Sequence, residues 1–240
     1  MELTILYEDD YLVAVDKPSG LLVHPSWISP ADEPNMMGLL KSQLDAEKLH
    51  TIHRLDRGTS GVILVGKEVE SSKILQAQFQ ERDVQKVYEC VVRGWVLEGA
   101  ELDYPLVPKK DKFADPFASE DKEAKEAVTI YEPLDRIELD IPVGRYPQSR
   151  YSRVRCMPKT GRKHQIRRHM KHILHPIIGD TKYGEGRHNR MFRESLDCHR
   201  MLLMARSIEF NHPISNQRLT IESPLSQEVV ALYQKFNWLS

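Results

Sequence analysis

The segment His53-Arg54-Leu55-Asp56-Arg57-Gly58-Thr59-Ser60-Gly61 sets one carboxylate between two arginines, on a glycine-bounded loop just ahead of the apolar run Val62 to Val65. Two guanidinium groups nearby favour the ionised form of Asp56. An ionised, positioned carboxylate can serve as a nucleophile or as a general base. The same Arg-x-Asp-Arg spacing suits a salt bridge that only ties down a loop, so the segment by itself leaves both uses open. A second segment, Thr160 to His169, reads Thr-Gly-Arg-Lys-His-Gln-Ile-Arg-Arg-His. On a helix turning about 100° per residue, Ile166, Met170, Ile173 and Leu174 form one apolar stripe. Arg168, His164 and Lys171 then face solvent, where they suit phosphates. Arg167 falls on the flank, aimed along the surface toward what the helix packs on, where a buried carboxylate would be its best partner. A stem snorkelling over apolar surface is the alternative for Arg167. His164, His169, His172 and His175 invite a metal reading, but no carboxylate or thiolate is near in sequence and the flanking arginines repel a divalent cation, so no metal is expected. Tyr88 by itself reads as a core aromatic. Arg145-Tyr146 and Arg150-Tyr151 interleave charge with aromatic rings, a pattern suited to RNA.

The elements that must hold these residues are mixed. Short strands are predicted over Leu3 to Tyr7 and Tyr11 to Asp16, ended by the turn residues Lys17-Pro18-Ser19-Gly20. Met36, Met37, Leu40 and Leu44 recur at helical spacing. The loop from His50 to Gly61 leads into the strand Val62 to Val65, and a helix over Glu68 to Asp83 turns Ile74, Leu75 and Phe79 inward. Val84, Tyr88, Cys90 and Val92 alternate with Gln85, Glu89 and Arg93 as a half-buried strand. Strands follow at Ala127 to Ile141 and Tyr151 to Met157, a helix from Lys163 to Leu174, strands at Met201 to Phe210 and Arg218 to Glu222, and a closing helix from Ser226 to Phe236. Without regular β-α alternation this is an α+β chain. The span is read as one domain, residues 1–240, with the charged stretch 108–126 as an exposed excursion.

Charge is unevenly distributed. From Ile141 to Gly179 there is no Asp or Glu, against ten Lys or Arg and four His, while the remaining 201 residues balance at −11. Such a tract is an electrostatic footprint for a polyanion, chiefly a phosphate backbone, unless it is an ordinary solvated face. The candidates for docking RNA are Arg145, Arg150, Arg162, Lys163, Arg168 and Lys171. No apolar run approaches the roughly 18 residues that cross a bilayer. The opening Met1-Glu2-Leu3-Thr4-Ile5 lacks a basic n-region, and Cys90, Cys156 and Cys198 form no CxxC pair. A reducing cytoplasm is therefore the expected home.

Taken in order, several segments resemble one family. Asp16-Lys17-Pro18-Ser19-Gly20 with His24-Pro25, the His-Arg-Leu-Asp-Arg loop with Thr59-Ser60-Gly61, and Lys86-Val87-Tyr88 with Val92-Arg93-Gly94 are similar to RluA-type pseudouridine synthases. So are the Thr-Gly-Arg-x-His-Gln-Ile-Arg run and His175-Pro176-Ile177-Ile178-Gly179-Asp180. The resemblance implies a bent, mixed, mostly antiparallel sheet flanked by helices and loops, with a central active-site cleft and no small RNA-binding domain in front. It implies Asp56 as the catalytic carboxylate, which attacks the sugar, adds to the base or removes a ribose proton. Arg167 pairs with that carboxylate, Tyr88 packs on a uracil flipped out of the RNA, and Arg54 fills the gap left by the base. Neither redox nor group transfer occurs, so no cofactor is expected. Asp103-Tyr104-Pro105-Leu106, Glu120-Asp121-Lys122, Gly144-Arg145-Tyr146-Pro147, Arg150-Tyr151 and the stretch His188 to Arg193 resemble the branch acting on tRNA, at position 65 in the T-stem. Large-subunit ribosomal RNA is the alternative substrate, and a non-catalytic RNA-binding protein the alternative of another class. Met204 stands where the family usually has His. No protein partner is implied, and a monomer is expected.

Overall fold

The computed structural model describes residues 1–25, 30, 32–108 and 123–239. In chain order the elements are β1 (Thr4–Glu8), β2 (Leu12–Lys17), α1 (Met36–Gln43), β3 (His50–Thr51), β4 (Ser60–Gly66), α2 (Val69–Glu81), β5 (Gln85–Arg93), β6 (Ala100–Asp103), β7 (Val128–Leu139), β8 (Ser149–Pro158), α3 (Gln165–His172), α4 (Gly186–Leu196), β9 (Leu203–Asn211), β10 (Arg218–Glu222) and α5 (Gln227–Lys235). The strands join one sheet in the order β1-β2-β4-β9-β5-β8-β7-β6, with β10 paired to β9 and β3 to β4. This is the α+β, mostly antiparallel arrangement the sequence suggests.

Among the strands of the described residues, the exception to antiparallel pairing lies at the centre. β4 meets β9 in parallel through only Ser60–Met204 and Gly61–Ala205. β4 is Ser-Gly-Val-Ile-Leu-Val-Gly, buried throughout, as expected for a central strand covered on both faces. Gly61 sits at φ +111°, and a Cβ there would run into the Ala205 carbonyl, so the seam depends on glycine. Three apolar clusters flank it: one beneath β1, β2, β4 and α1, one under α4 and α5, and one between β5, β8 and α3. Loops before β4 and before α3 thus emerge near the same central strands.

Several elements differ from expectation. β3, β6 and α4 carry too little apolar periodicity to be read from sequence; α4 buries only Asn189, Met191 and Phe192. On α2 the inner face is Ser71, Ser72, Leu75 and Gln78, while Ile74 is exposed. Gln78 is welcome inside because its amide both donates to and accepts from the Asn211 backbone, at 2.8 and 2.9 Å. Leu174, counted into the α3 stripe, follows the end of that helix at φ +64° and is 73% exposed. The core of the expected charged excursion, residues 109–122, lies outside the described residues, and so do Glu120, Asp121 and Lys122. Its flanks are joined: Leu106 and Lys125 exchange two backbone hydrogen bonds, at 2.8 and 3.1 Å.

Candidate active site

Asp56 lies on the loop between β3 and β4, and neighbouring chain holds that loop from several sides. Leu55 anchors it in the core, and the Thr59 N–H closes a turn by donating to the Asp56 carbonyl at 3.0 Å. The turn after β2 is stitched against it. Gly20 N–H donates to Arg57 O at 2.8 Å, Ser19 Oγ to Gly58 O at 2.7 Å, and the fully buried Lys17 ammonium to the carbonyls of Pro18, Leu21 and Arg57. Burial lowers the Lys17 pKa to about 7, helped by the Arg200 charge. The Lys-Pro-Ser-Gly motif is thus the scaffold of the carboxylate loop.

The two arginines beside Asp56 in sequence are not the ones that grip it. Arg57 turns away to Gly20 O and Glu33, and Arg54 stands exposed at the cleft wall. The grip comes from 111 residues further on. Arg167 Nη1 donates to Asp56 Oδ2 at 2.8 Å, while its Nε and Nη2 form a fork on Asp180, at 2.7 and 2.9 Å. The Arg167 guanidinium therefore joins two carboxylates, which a lysine could not do with the same planar geometry. Asp180 is completely buried and also accepts the backbone N–H groups of Lys182 and Tyr183. Burial alone would raise its pKa, but Arg167 and those N–H groups outweigh it and hold the carboxyl below the usual range. Burial likewise opposes the charge on Arg167, and the two carboxylates more than restore it.

His164 is not in solvent as its helical phase suggested. The helix begins at Gln165, whose amide binds Thr160, Arg162, Val128 and Thr129, and His164 precedes it in the left-handed region at φ +57°. That conformation turns its ring inward, with Nδ1 3.0 Å from the Tyr183 hydroxyl and Nε2 3.7 Å from Asp56 Oδ1. Burial is the main cause that lowers its pKa to about 4, so the ring is neutral at physiological pH.

Tyr88 reaches the site from β5, where a register shift between Val87 and Tyr88 interrupts the pairing with β9. Burial, then the Asp56 charge, raise its hydroxyl pKa, so it stays protonated. Asp56, Tyr88, Arg54, His164 and Arg167 line one cleft of about 1660 Å³, with Lys86 and Arg200 further along it. Met204 is buried at the β4–β9 seam and reaches the same cleft. Lys86 and Asp180 figured in the sequence only as members of the family-like motifs, with no role of their own, and Arg200 not at all. For Asp180 a signal existed: it is the first acid after the acid-free tract, just past the helix carrying Arg167.

The acid-free tract does not form one bare face. Arg150 pairs with Glu138 at 2.5 Å and stacks on Trp95 at 4.3 Å; Arg153 pairs with Glu89 and Asp135, and Arg155 with Glu132. Arg145 folds over Tyr146. Arg162 and Lys163 line the cleft, whereas Arg145, Arg150, Arg168 and Lys171 lie outside its lining. The histidines disperse too: His169 binds Thr129 and Tyr104, His172 stacks on Tyr104, and His175 binds Arg93 O. Among the described residues no helix is long and apolar enough to cross a membrane.

Comparison with known proteins places this geometry. A family model described as RNA pseudouridylate synthase matches residues 11–172. A protein of Haemophilus ducreyi named tRNA pseudouridine synthase C is 46% identical over 99% of this chain and 97% of its own length. Proteins of the same name from Vibrio parahaemolyticus and Haemophilus influenzae are 44% and 45% identical, covering 96% and 98% of their own lengths. The solved human RNA pseudouridylate synthase domain containing 4 shares the fold, with a TM-score of 0.73 at 23% identity over 98% of this chain and 93% of that one. Agreement along nearly the whole chain, in sequence and in fold, makes this protein a member of the RNA pseudouridylate synthase family, the isomerases that turn uridine into pseudouridine within RNA.

Proposed function

We propose that the enzyme acts on tRNA in the cytoplasm, as a monomer, isomerising the uridine at position 65 of the T-stem with Asp56 as its catalytic carboxylate. The observation that carries this reading is the hold of Arg167 on one oxygen of Asp56, backed by Asp180, in a cleft shared with Tyr88. The choice of tRNA is supported by the names of the relatives that match almost end to end.

The reaction breaks the bond from uracil N1 to ribose C1′, turns the base and joins C5 to C1′. The C5 proton leaves and N1 gains one, so the product is an isomer and no electrons are exchanged with a cofactor. A base stacked in an RNA stem is out of reach of Asp56, so it is flipped into the cleft first. There Tyr88 offers its ring to the uracil face, and exposed Arg54 occupies the place the base vacates. Asp56, with Oδ2 taken by Arg167, presents its other oxygen to the sugar and base. In that position it can attack C1′, add to the uracil or take a ribose proton. Arg162 and Lys163 at the cleft, with Arg168 and Lys171 beyond it on α3, meet the phosphate backbone, while Arg145 and Arg150, engaged by Tyr146 and Glu138, take a smaller part.

Mapping pseudouridines by reverse-transcription stops in a deletion strain tests the substrate. Loss confined to the T-stem of tRNA, restored by the wild-type gene but not by Asp56→Asn, is expected. Loss in large-subunit ribosomal RNA with tRNA intact would replace the substrate, and unchanged RNA throughout would favour a binding protein.

A further inference from the structure

The side chains around Asp56 close into a ring. Asp56 Oδ2 binds Arg167, Arg167 binds Asp180, Asp180 accepts the Tyr183 N–H, the Tyr183 hydroxyl meets His164 Nδ1, and His164 Nε2 returns to Asp56 Oδ1. Four of the five links are hydrogen bonds of 2.7–3.0 Å; the last, at 3.7 Å, is longer than a hydrogen bond. We propose that His164 is a positioning residue that closes on Asp56 Oδ1 when substrate enters, so that both oxygens of the carboxylate are oriented during the reaction. The proposal rests on Asp56 being the catalytic carboxylate.

Geometry carries it. His164 is one of seven non-glycine residues at positive φ among the described residues, and what distinguishes it is where that conformation, φ +57°, sends its ring. The left-handed conformation is what brings the ring inward, where a helical His164 would face solvent. The ring is also oriented from behind. In the arrangement proposed, Nδ1 accepts from the Tyr183 hydroxyl 3.0 Å away and the ring proton sits on Nε2, facing Asp56 Oδ1. Tyr183 is itself pinned by its N–H on Asp180 and by the Arg167 guanidinium 5.1 Å over its ring. His164 and Arg167 thus take their orientation from the same buried Asp180. A carboxylate held at one oxygen alone can still swing about that contact. At 3.7 Å, Nε2 needs only a small shift to donate to Oδ1, and catalytic donors commonly tighten in the reacting complex.

Single-turnover release of tritium from tRNA transcript containing [5-³H]uridine, at saturating enzyme, reads the positioning directly. His164→Gly suits the backbone and removes only the ring. Its rate should fall about 10- to 100-fold, as for loss of one hydrogen bond to a charged group, with tRNA Kd within about twofold of wild type and a Tm no lower. His164→Gln restores an N–H near the Nε2 position and should recover most of the lost rate. A Gly variant within about twofold of wild type, or a Gln variant no faster than Gly, would overturn the proposal while an inactive Asp56→Asn leaves the catalytic reading intact. Turnover by Asp56→Asn would overturn both.

Discussion

Arg167 is the residue whose replacement should damage fold and chemistry together. It neutralises Asp180, which has no exposure of its own, so Arg167→Ala leaves a buried charge without its cation. Breaking a buried pair in this way costs about 3–5 kcal/mol. Urea unfolding at neutral pH should register that loss, and Arg167→Lys should recover only part of it, because one ammonium cannot fork on Asp180 and still reach Asp56. A variant as stable as wild type would mean that the fork contributes nothing to the fold. Tyr88 separates differently. Tyr88→Phe keeps the ring and should retain most activity, whereas Tyr88→Leu should weaken productive binding by roughly 1–3 kcal/mol, the worth of a base–aromatic stack. Equal single-turnover rates for the Leu variant and wild type would make Tyr88 a core residue only. At this scale the sequence was informative about Asp56 and about Arg167, whose flanking helical phase pointed to a buried carboxylate. The family resemblance named Asp56 as that carboxylate, and Arg167 does bind it; the second and fully buried partner, Asp180, was not named. The sequence misdirected His164, because the helix starts one residue after it and the left-handed turn reverses its ring.

Among the elements, the β4–β9 seam brings the site together. Gly61→Ala must either displace the Ala205 carbonyl or abandon its positive φ, and a loss of about 2–4 kcal/mol in thermal unfolding is expected. An unaltered Tm would show that the seam relaxes freely. β4 and the longer antiparallel strands were legible because their apolar runs are long or alternate; β3 has two residues, β6 four, and α4 shows its core only three side chains. Charge was misread for a related reason. Arginines on β8 are close in sequence only to other bases, but strand pairing sets them beside the acids of β7, 12 to 23 residues away, and beside Glu89 of β5. The electrostatic docking term should therefore reside at the cleft and on α3. Arg162→Ala should lower the salt slope of tRNA binding by roughly 0.7–0.9, as one lost phosphate contact does, and Arg150→Ala much less. Equal changes for the two would place the RNA across β8 as well.

For the molecule as a whole, acid should be destabilising well before carboxylates titrate. His53, stacked on Phe79 and accepting the Leu64 N–H, has its pKa lowered by burial to about 3, and His164 to about 4. Unfolded histidines bind protons near pH 6.5, so the unfolded chain takes up protons that the folded one refuses. Stability is then complete above about pH 6.5 and erodes as pH falls toward 4, by up to about 1.4 kcal/mol per pH unit for each such histidine. Urea midpoints at pH 7, 6 and 5 check this; a midpoint that holds or rises on acidification would contradict it. Everything proposed for the site depends on Asp56 carrying out uridine isomerisation in tRNA. Joining C5 to the ribose expels the C5 hydrogen, so tRNA labelled with [5-³H]uridine reports the reaction atom for atom. The wild-type enzyme should release one tritium equivalent per tRNA from position 65, and Asp56→Asn none while binding the same tRNA within a few-fold; release by the Asn variant, or none by the wild type, would contradict the account.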